Sequence, residues 1–181
     1  MRKDYKMITK FRKLKADEIE CRIGQIKPTG LTLLLYKDAR CDMNILDETV
    51  GPDNWYRDHK DLKGRMYCGV GIYNKDTDSV VWKWDCGSES NTEAEKGEAS
   101  DSFKRACVNW GIGRELYTAP FIWVKKEDCN LKTTSGDRAR CYDKFTVVKL
   151  TYTESGDIDG LCIRNENNGK NVFVKMPEEK K

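Results

Sequence analysis

A chain of 181 residues with 33 Lys+Arg, 30 Asp+Glu and one His is long enough to bury a core, and its 10% aromatic content sets it apart from disordered chains. No apolar run is long enough to span a bilayer, since Leu33–Tyr36 already stops at Lys37, and the basic stretch Met1–Lys15 lacks the apolar centre of a secretion signal. A net charge of +3 selects no partner by itself, and a soluble cytoplasmic protein is expected.

Met1–Lys15 carries seven Lys/Arg against one Asp, an arm that suits either nucleic-acid contact or a solvated, frayed terminus. Residues 17–24 read as a short helix with Gly24 as its stop. Leu31–Tyr36 is a strand candidate. Asp38–Val50 has apolar residues at helical spacing (Ala39, Met43, Leu46, Val50) and is ended by Gly51-Pro52. A strand over Trp55–Lys60 precedes a hairpin. In its first arm Met66, Cys68, Val70 and Ile72 alternate with Tyr67, Gly69, Gly71 and Tyr73; its second arm, Val80–Cys86, sets Trp82 and Trp84 against Lys83 and Asp85. Two overlapping capping boxes, Ser90 with Glu93 and Thr92 with Glu95, open a helix over Thr92–Trp110. Its stripe is Ala99, Phe103, Ala106 and Trp110, and Gly111-Ile-Gly113 stops it. Phe121–Val124 is a strand, Asn130–Arg140 a polar flexible loop, and Lys144–Thr153 a strand followed by a turn at 155–157. Ile158–Arg164 and Asn171–Lys175 flank the turn signal Asn168-Gly169. The expected class is α+β: an antiparallel β-hairpin sheet packed against a long helix, a β-β-β-α core, with additional C-terminal strands.

Several chemistries lack their parts. The eight cysteines, at 21, 41, 68, 86, 107, 129, 141 and 162, form no CxxC pair, and His59 is the single His, so no zinc site is expected. They read as reduced thiols, several buried as small hydrophobes. A Cys–His nucleophile would have to use His59, set among the charged residues Arg57, Asp58 and Lys60. No phosphate-binding G-x-x-x-x-G-K-[ST] occurs. A divalent-metal nuclease would draw on Asp85, Glu89, Glu93 and Glu95, although Glu93 and Glu95 already have a capping role. No catalytic residue, metal or cofactor is expected.

The binding chemistry is better supplied. Lys104 and Arg105 lie off the apolar stripe, where the ordinary role of Arg105 is an i,i+4 pair with Asp101. Lys37, Arg40, Arg114, Lys125 and Lys126 accompany the aromatics Tyr36, Trp110, Tyr117, Phe121 and Trp123. Cations for phosphates interleaved with rings for bases suit sequence-independent single-strand binding, although most of these rings alternate as core residues do.

The run Asp101-Ser-Phe-Lys104-Arg105-Ala106-Cys-Val-Asn-Trp110-Gly111, followed by Leu116-Tyr117, resembles the signature helix of the Rad52/Rad22 family of single-strand annealing proteins. Tyr36-Lys-Asp-Ala-Arg40, Asn44, Gly51-Pro-Asp-Asn-Trp55 and the glycine-bearing strand at 66–73 fall in that family's order. The resemblance covers about Thr9–Lys126 and is greatest to the short phage Sak-type recombination proteins. It implies an ATP-independent annealing protein of recombination and double-strand-break repair, phage- or prophage-encoded and acting in the cytoplasm of a bacterial host. Such a protein assembles into a ring or helical arc and holds single-stranded DNA in a basic groove; a host or phage single-strand-binding protein is the candidate partner. Lys104 and Arg105 match the family's backbone-gripping pair. Arg40 and Tyr36 fall beside that groove, with Lys37 and Arg114 nearby, and Val108 stands where many relatives carry a further basic residue. The chain then divides into an annealing core over 1–126 and a β extension over 127–181. The rival readings are a divalent-metal nuclease and a nucleic-acid-binding module without annealing activity.

Overall fold

The computed structural model describes residues 10–87, 94–133 and 139–177. In chain order its elements are β1 (Glu20–Lys27), β2 (Gly30–Tyr36), α1 (Ala39–Val50), β3 (Trp55–Leu62), β4 (Arg65–Asn74), β5 (Ser79–Cys86), α2 (Ala94–Trp110), β6 (Ile122–Lys125), β7 (Leu131–Thr133), β8 (Ala139–Cys141), β9 (Phe145–Tyr152), β10 (Ile158–Asn165) and β11 (Asn171–Lys175). The fold is mixed α and β with antiparallel sheets. It forms two compact units, Met1–Lys13 with Asp38–Arg114, and Leu14–Lys37 with Glu115–Lys181. No helix among the described residues is long and apolar enough to cross a membrane.

In the first unit Asp38 caps α1 by accepting the Arg40 N–H at 2.8 Å. Gly51 ends the helix at φ 86°, a left-handed conformation that glycine adopts without a Cβ penalty. Asn54 then donates to the Val50 carbonyl at 2.9 Å, and Trp55 donates from Nε1 to Asp47 at 2.7 Å. The Gly-x-x-x-Trp segment is therefore a helix stop that anchors the start of β3.

Strands β3, β4 and β5 form one antiparallel sheet. Alternation along β4 sends Cys68, Val70 and Ile72 inward, each 2% exposed or less. Helix α2 packs on β4 and β5, where Trp110 Nε1 donates to the Val70 carbonyl at 2.9 Å. Phe103 is fully buried, 6.1 Å from the Trp55 ring, with the Arg57 guanidinium 5.2 Å from its centroid. On the opposite face the Trp84 and Trp82 rings lie directly over Gly69 and Gly71; a Cβ at those positions would come within 2.6 and 2.8 Å of them.

The second unit is built on a six-stranded sheet of order β11-β10-β9-β1-β2-β6, so strands from both ends of the chain share one layer. Its edge strands β6 and β11 meet, so the sheet curls toward closure around Leu31, Leu33, Ile122, Val124, Val147, Leu161 and Ile163. Strands β7 and β8 pair as a separate two-stranded sheet, with β8 packed beside β1.

Two expectations are corrected. The helix over 17–24 is instead a 3-10 turn at Ala16–Glu18 followed by β1. The glycine misled: Gly24 lies within a strand, where a Cβ would come 2.9 Å from Thr32 Oγ1, so it serves close approach rather than helix termination. The loop over Asn130–Arg140 contains β7 and the start of β8, which pair Leu131 with Cys141 and Thr133 with Ala139, while 134–138 lie outside the described residues. The two capping boxes ahead of α2 also fall there in whole or part.

Replacing Phe103 by Ala removes the largest fully buried side chain of the first unit, and chemical denaturation is expected to show a loss of about 3–5 kcal/mol.

Candidate nucleic-acid interface

Burial of Phe103, Ala106 and Cys107 sets the rotation of α2, and a helix advancing 100° per residue then carries Lys104 and Arg105 away from the sheet. Arg105 is exposed, and its Nε donates to Asp85 of β5 at 3.3 Å. Asp85 is also reached by Asn109 Nδ2 at 3.4 Å and by the Cys86 N–H at 2.8 Å. Sequence spacing does not reach this cross-element partner, because β5 and α2 meet through the sheet. Asn109 further donates to the Trp84 carbonyl at 3.1 Å, so the polar side of α2 is tied to β5.

Arg40 stands at the start of α1 with its guanidinium 2.7 Å from Asp38 Oδ2, and its side chain is 83% exposed. Its side-chain and backbone hydrogen bonds hold the Asp38 carboxyl below the ordinary aspartate value, and the positive charges of Arg40 and Lys104 act in the same direction. Lys104 and Arg40, 64 positions apart in the chain, thus share one carboxylate's electrostatic neighbourhood. The carboxylates of Asp38 and Asp85 orient two guanidinium groups that face solvent.

Arg114 has a different setting. Its guanidinium donates to the Val108 carbonyl at 2.9 and 3.2 Å and to the Asn109 carbonyl at 3.1 Å, capping the end of α2. A cation therefore reaches the backbone of Val108, although the Val108 side chain has none. Tyr36 and Lys37 belong to the second unit. Tyr36 is exposed, with the Arg22 guanidinium 4.8 Å from its ring centroid, and Lys37 is buried at 4% exposure.

Sequence reasoning missed three cations laid against rings in the first unit: Arg57 on Phe103, Lys60 on Trp84 at 4.4 Å and Lys83 on Trp110 at 4.4 Å. Lys83 also donates to the Asn109 carbonyl at 2.8 Å, and burial lowers its pKa. The alternation of Trp82, Lys83 and Trp84 was the available signal, but their partners come from other elements.

The enzyme readings meet specific obstacles. Cys68 stands opposite His59 in the β3–β4 register, yet it is fully buried and burial pushes its thiol up to about 11, the reverse of what a nucleophilic thiolate needs. Asp85 is occupied by Arg105 and Asn109, and no group of three His, Cys, Asp or Glu among the described residues is placed to hold a metal ion. Glu89 and Glu93, and the side chain of Glu95, lie outside those residues.

Residues 62–134, which include β4, β5 and α2 with its Lys104–Arg105 pair, match the profile described as Rad52/22 family double-strand break repair protein. The resemblance is to the Rad52/22 family. The chain is also 35% identical over 108 residues to the single-stranded DNA-binding protein DdrA of Deinococcus radiodurans. That stretch covers 55% of this chain and 48% of the relative, so the chain spans about half of the protein it matches. No solved structure matches the chain significantly. Within the matched residues 62–134 the glycines of β4 and the α2 cations are thus placed by one sheet-and-helix packing.

Asp38→Ala removes the α1 cap and is expected to cost about 1 kcal/mol, to which the exposed pair with Arg40 adds little in water. Because the folded-state pKa is lowered, the wild-type advantage is full above about pH 4, the unfolded aspartate value, and is lost as pH falls through the folded value. Denaturant titrations of both proteins between pH 7 and 2.5 check this.

Proposed function

We propose that this protein binds single-stranded DNA and anneals complementary strands without ATP, in recombination and double-strand-break repair. The carrying observation is the Lys104–Arg105 pair, turned off the sheet on a helix that lies inside the Rad52/22-matching segment. The relative whose name describes a single-stranded DNA-binding protein supports the same reading.

In this reading Lys104, Arg105 and Arg40 neutralise phosphates of one strand, and Tyr36 offers a ring to a base. Arg114 and Lys37, engaged within the protein, act through their charge. Such contacts carry no sequence information, so the base edges remain free to read a complementary strand. Side-by-side copies in a ring or helical arc line up these helices into a continuous basic groove. No bond is made or broken, so no catalytic group is required. Residues 1–126 supply the annealing core and 127–181 a β extension. A phage or prophage origin of the Sak type, action in the bacterial cytoplasm, and a host or phage single-strand-binding protein as partner complete the proposal.

The test is annealing of two complementary fluorescent oligonucleotides without nucleotide and with EDTA. Wild type is expected to accelerate pairing, and folded Lys104→Ala/Arg105→Ala to lose the acceleration. No acceleration by an oligomeric, DNA-binding wild type would sink the annealing step, and Mg²⁺-dependent cleavage would favour a nuclease. The logarithm of affinity should fall linearly with the logarithm of salt, and loss of two phosphate contacts should flatten that slope by about 1.4, or ~0.7 per contact on a single strand.

A further inference from the structure

The second unit carries an aromatic surface that the α2 cations do not explain. Along β2, Leu31 and Leu33 face inward and are 3% exposed or less, so Thr32, Leu34 and Tyr36 occupy the outer face. Register sets Arg22 of β1 across from Leu34, Trp123 of β6 across from Thr32, and Lys27 and Lys125 on either side of Gly30. Phe121, two residues before Trp123, continues the same face and is 76% exposed. Its ring lies nearly parallel to that of Trp123, at 13° and 6.5 Å between centroids, a spacing set by the two-residue rise of a strand.

The strands approach closely on this face. A Cβ at Gly30 would meet the Val124 carbonyl oxygen and come 2.8 Å from the Trp123 ring, and one at Gly24 would come 2.9 Å from Thr32 Oγ1 and 3.2 Å from Leu34. Trp123 thus packs against β2 at Gly30 and is half-buried, while Phe121 beside it is exposed. Leu34 at 47% and Tyr36 at 38% exposure extend the apolar surface. Cations frame it: Lys27 and Lys125 at one end, and at the other Arg22, whose guanidinium lies 4.8 Å from the Tyr36 centroid while pairing with Glu20 at 2.7 Å. The centre of a protein–protein patch is depleted of lysine, whereas flat rings edged by lysine and arginine match the bases and phosphates of a single strand.

We propose that the outer face of β1, β2 and β6 is a base-stacking platform for single-stranded DNA, with Trp123 and Phe121 as its stacking rings and Lys27, Lys125 and Arg22 as its phosphate contacts. It rests on the single-strand-binding reading and extends the base contact given to Tyr36 to Trp123 and Phe121, in a different unit from Lys104 and Arg105.

The experiment compares binding of the full chain to a labelled oligo-dT and to an abasic strand of equal length, which keeps the phosphates and removes the bases. Wild type is expected to prefer oligo-dT. Phe121→Ala/Trp123→Ala should weaken oligo-dT binding about tenfold or more and leave abasic binding within about twofold, whereas Lys104→Ala/Arg105→Ala should weaken both. If the double variant fails to fold by circular dichroism, Phe121→Ala alone, at a solvent-exposed position, is expected to show a smaller loss in the same direction, with Phe121→Tyr restoring affinity. Folded platform variants that bind oligo-dT as wild type does would overturn the platform and leave the annealing proposal standing. So would a changed oligomeric state on a sizing column with oligo-dT affinity retained, which would make this face a contact between copies. A wild type that binds neither strand would bring down both proposals.

Discussion

Burial of Phe103 is the constraint on which the first unit depends. With no exposed surface, the Trp55 ring 6.1 Å away and the Arg57 guanidinium over it, this side chain fixes the angular setting of α2 against β4 and β5. Adjacent residues on a helix differ by 100°, so once Phe103 is inside, Lys104 and Arg105 must turn away from the sheet. Trp110 repeats the anchor two turns later by donating to the Val70 carbonyl. The same ring contact ties Trp55 to α2, while the Trp55 indole N–H holds Asp47 of α1.

Glycine does matching work in both units. Gly69 and Gly71 let the rings of Trp84 and Trp82 lie against β4, and Gly30 lets Trp123 lie against β2. In each case a missing side chain on one strand is filled by a large ring from its neighbour, which keeps a flat apolar surface on the face opposite the core. Cations then settle over rings, as Lys60 does on Trp84 and Arg22 on Tyr36. These cations are shared between a ring and a carboxylate, since Arg22 also pairs with Glu20 at 2.7 Å and Lys60 with Asp58 at 3.7 Å.

The cations that sequence grouped together have different roles in the fold. Arg40 and Lys104 act on one carboxylate, Arg105 pairs with Asp85 across from β5, and Arg114 caps the end of α2. Residue type and neighbourhood could not separate these roles, because each is decided by a carbonyl or carboxylate contributed by another element or by the end of a helix. The same limit explains Gly24. A glycine after a short polar stretch reads as a helix stop when only local chemistry is visible, and its strand role depends on Thr32 and Leu34 of the neighbouring strand.

What the sequence by itself determined is periodic and local: α1 between Asp38 and Gly51, the three-strand run from Trp55 to Cys86, the apolar stripe of α2, and a hairpin connection around Asn168-Gly169, which the structure makes a five-residue loop over 166–170 with Gly169 at φ 72° rather than a tight two-residue turn. These follow from side-chain alternation, capping and turn chemistry, all of which act over a few residues. Tertiary structure alone decided that β1 and β2 share a sheet with β6, β9, β10 and β11, that Asp85 faces Arg105, and that Lys37 is buried while Phe121 is exposed. Those outcomes depend on which distant strands pair and which faces they cover, and burial of a common core, rather than any local preference, selects that pairing.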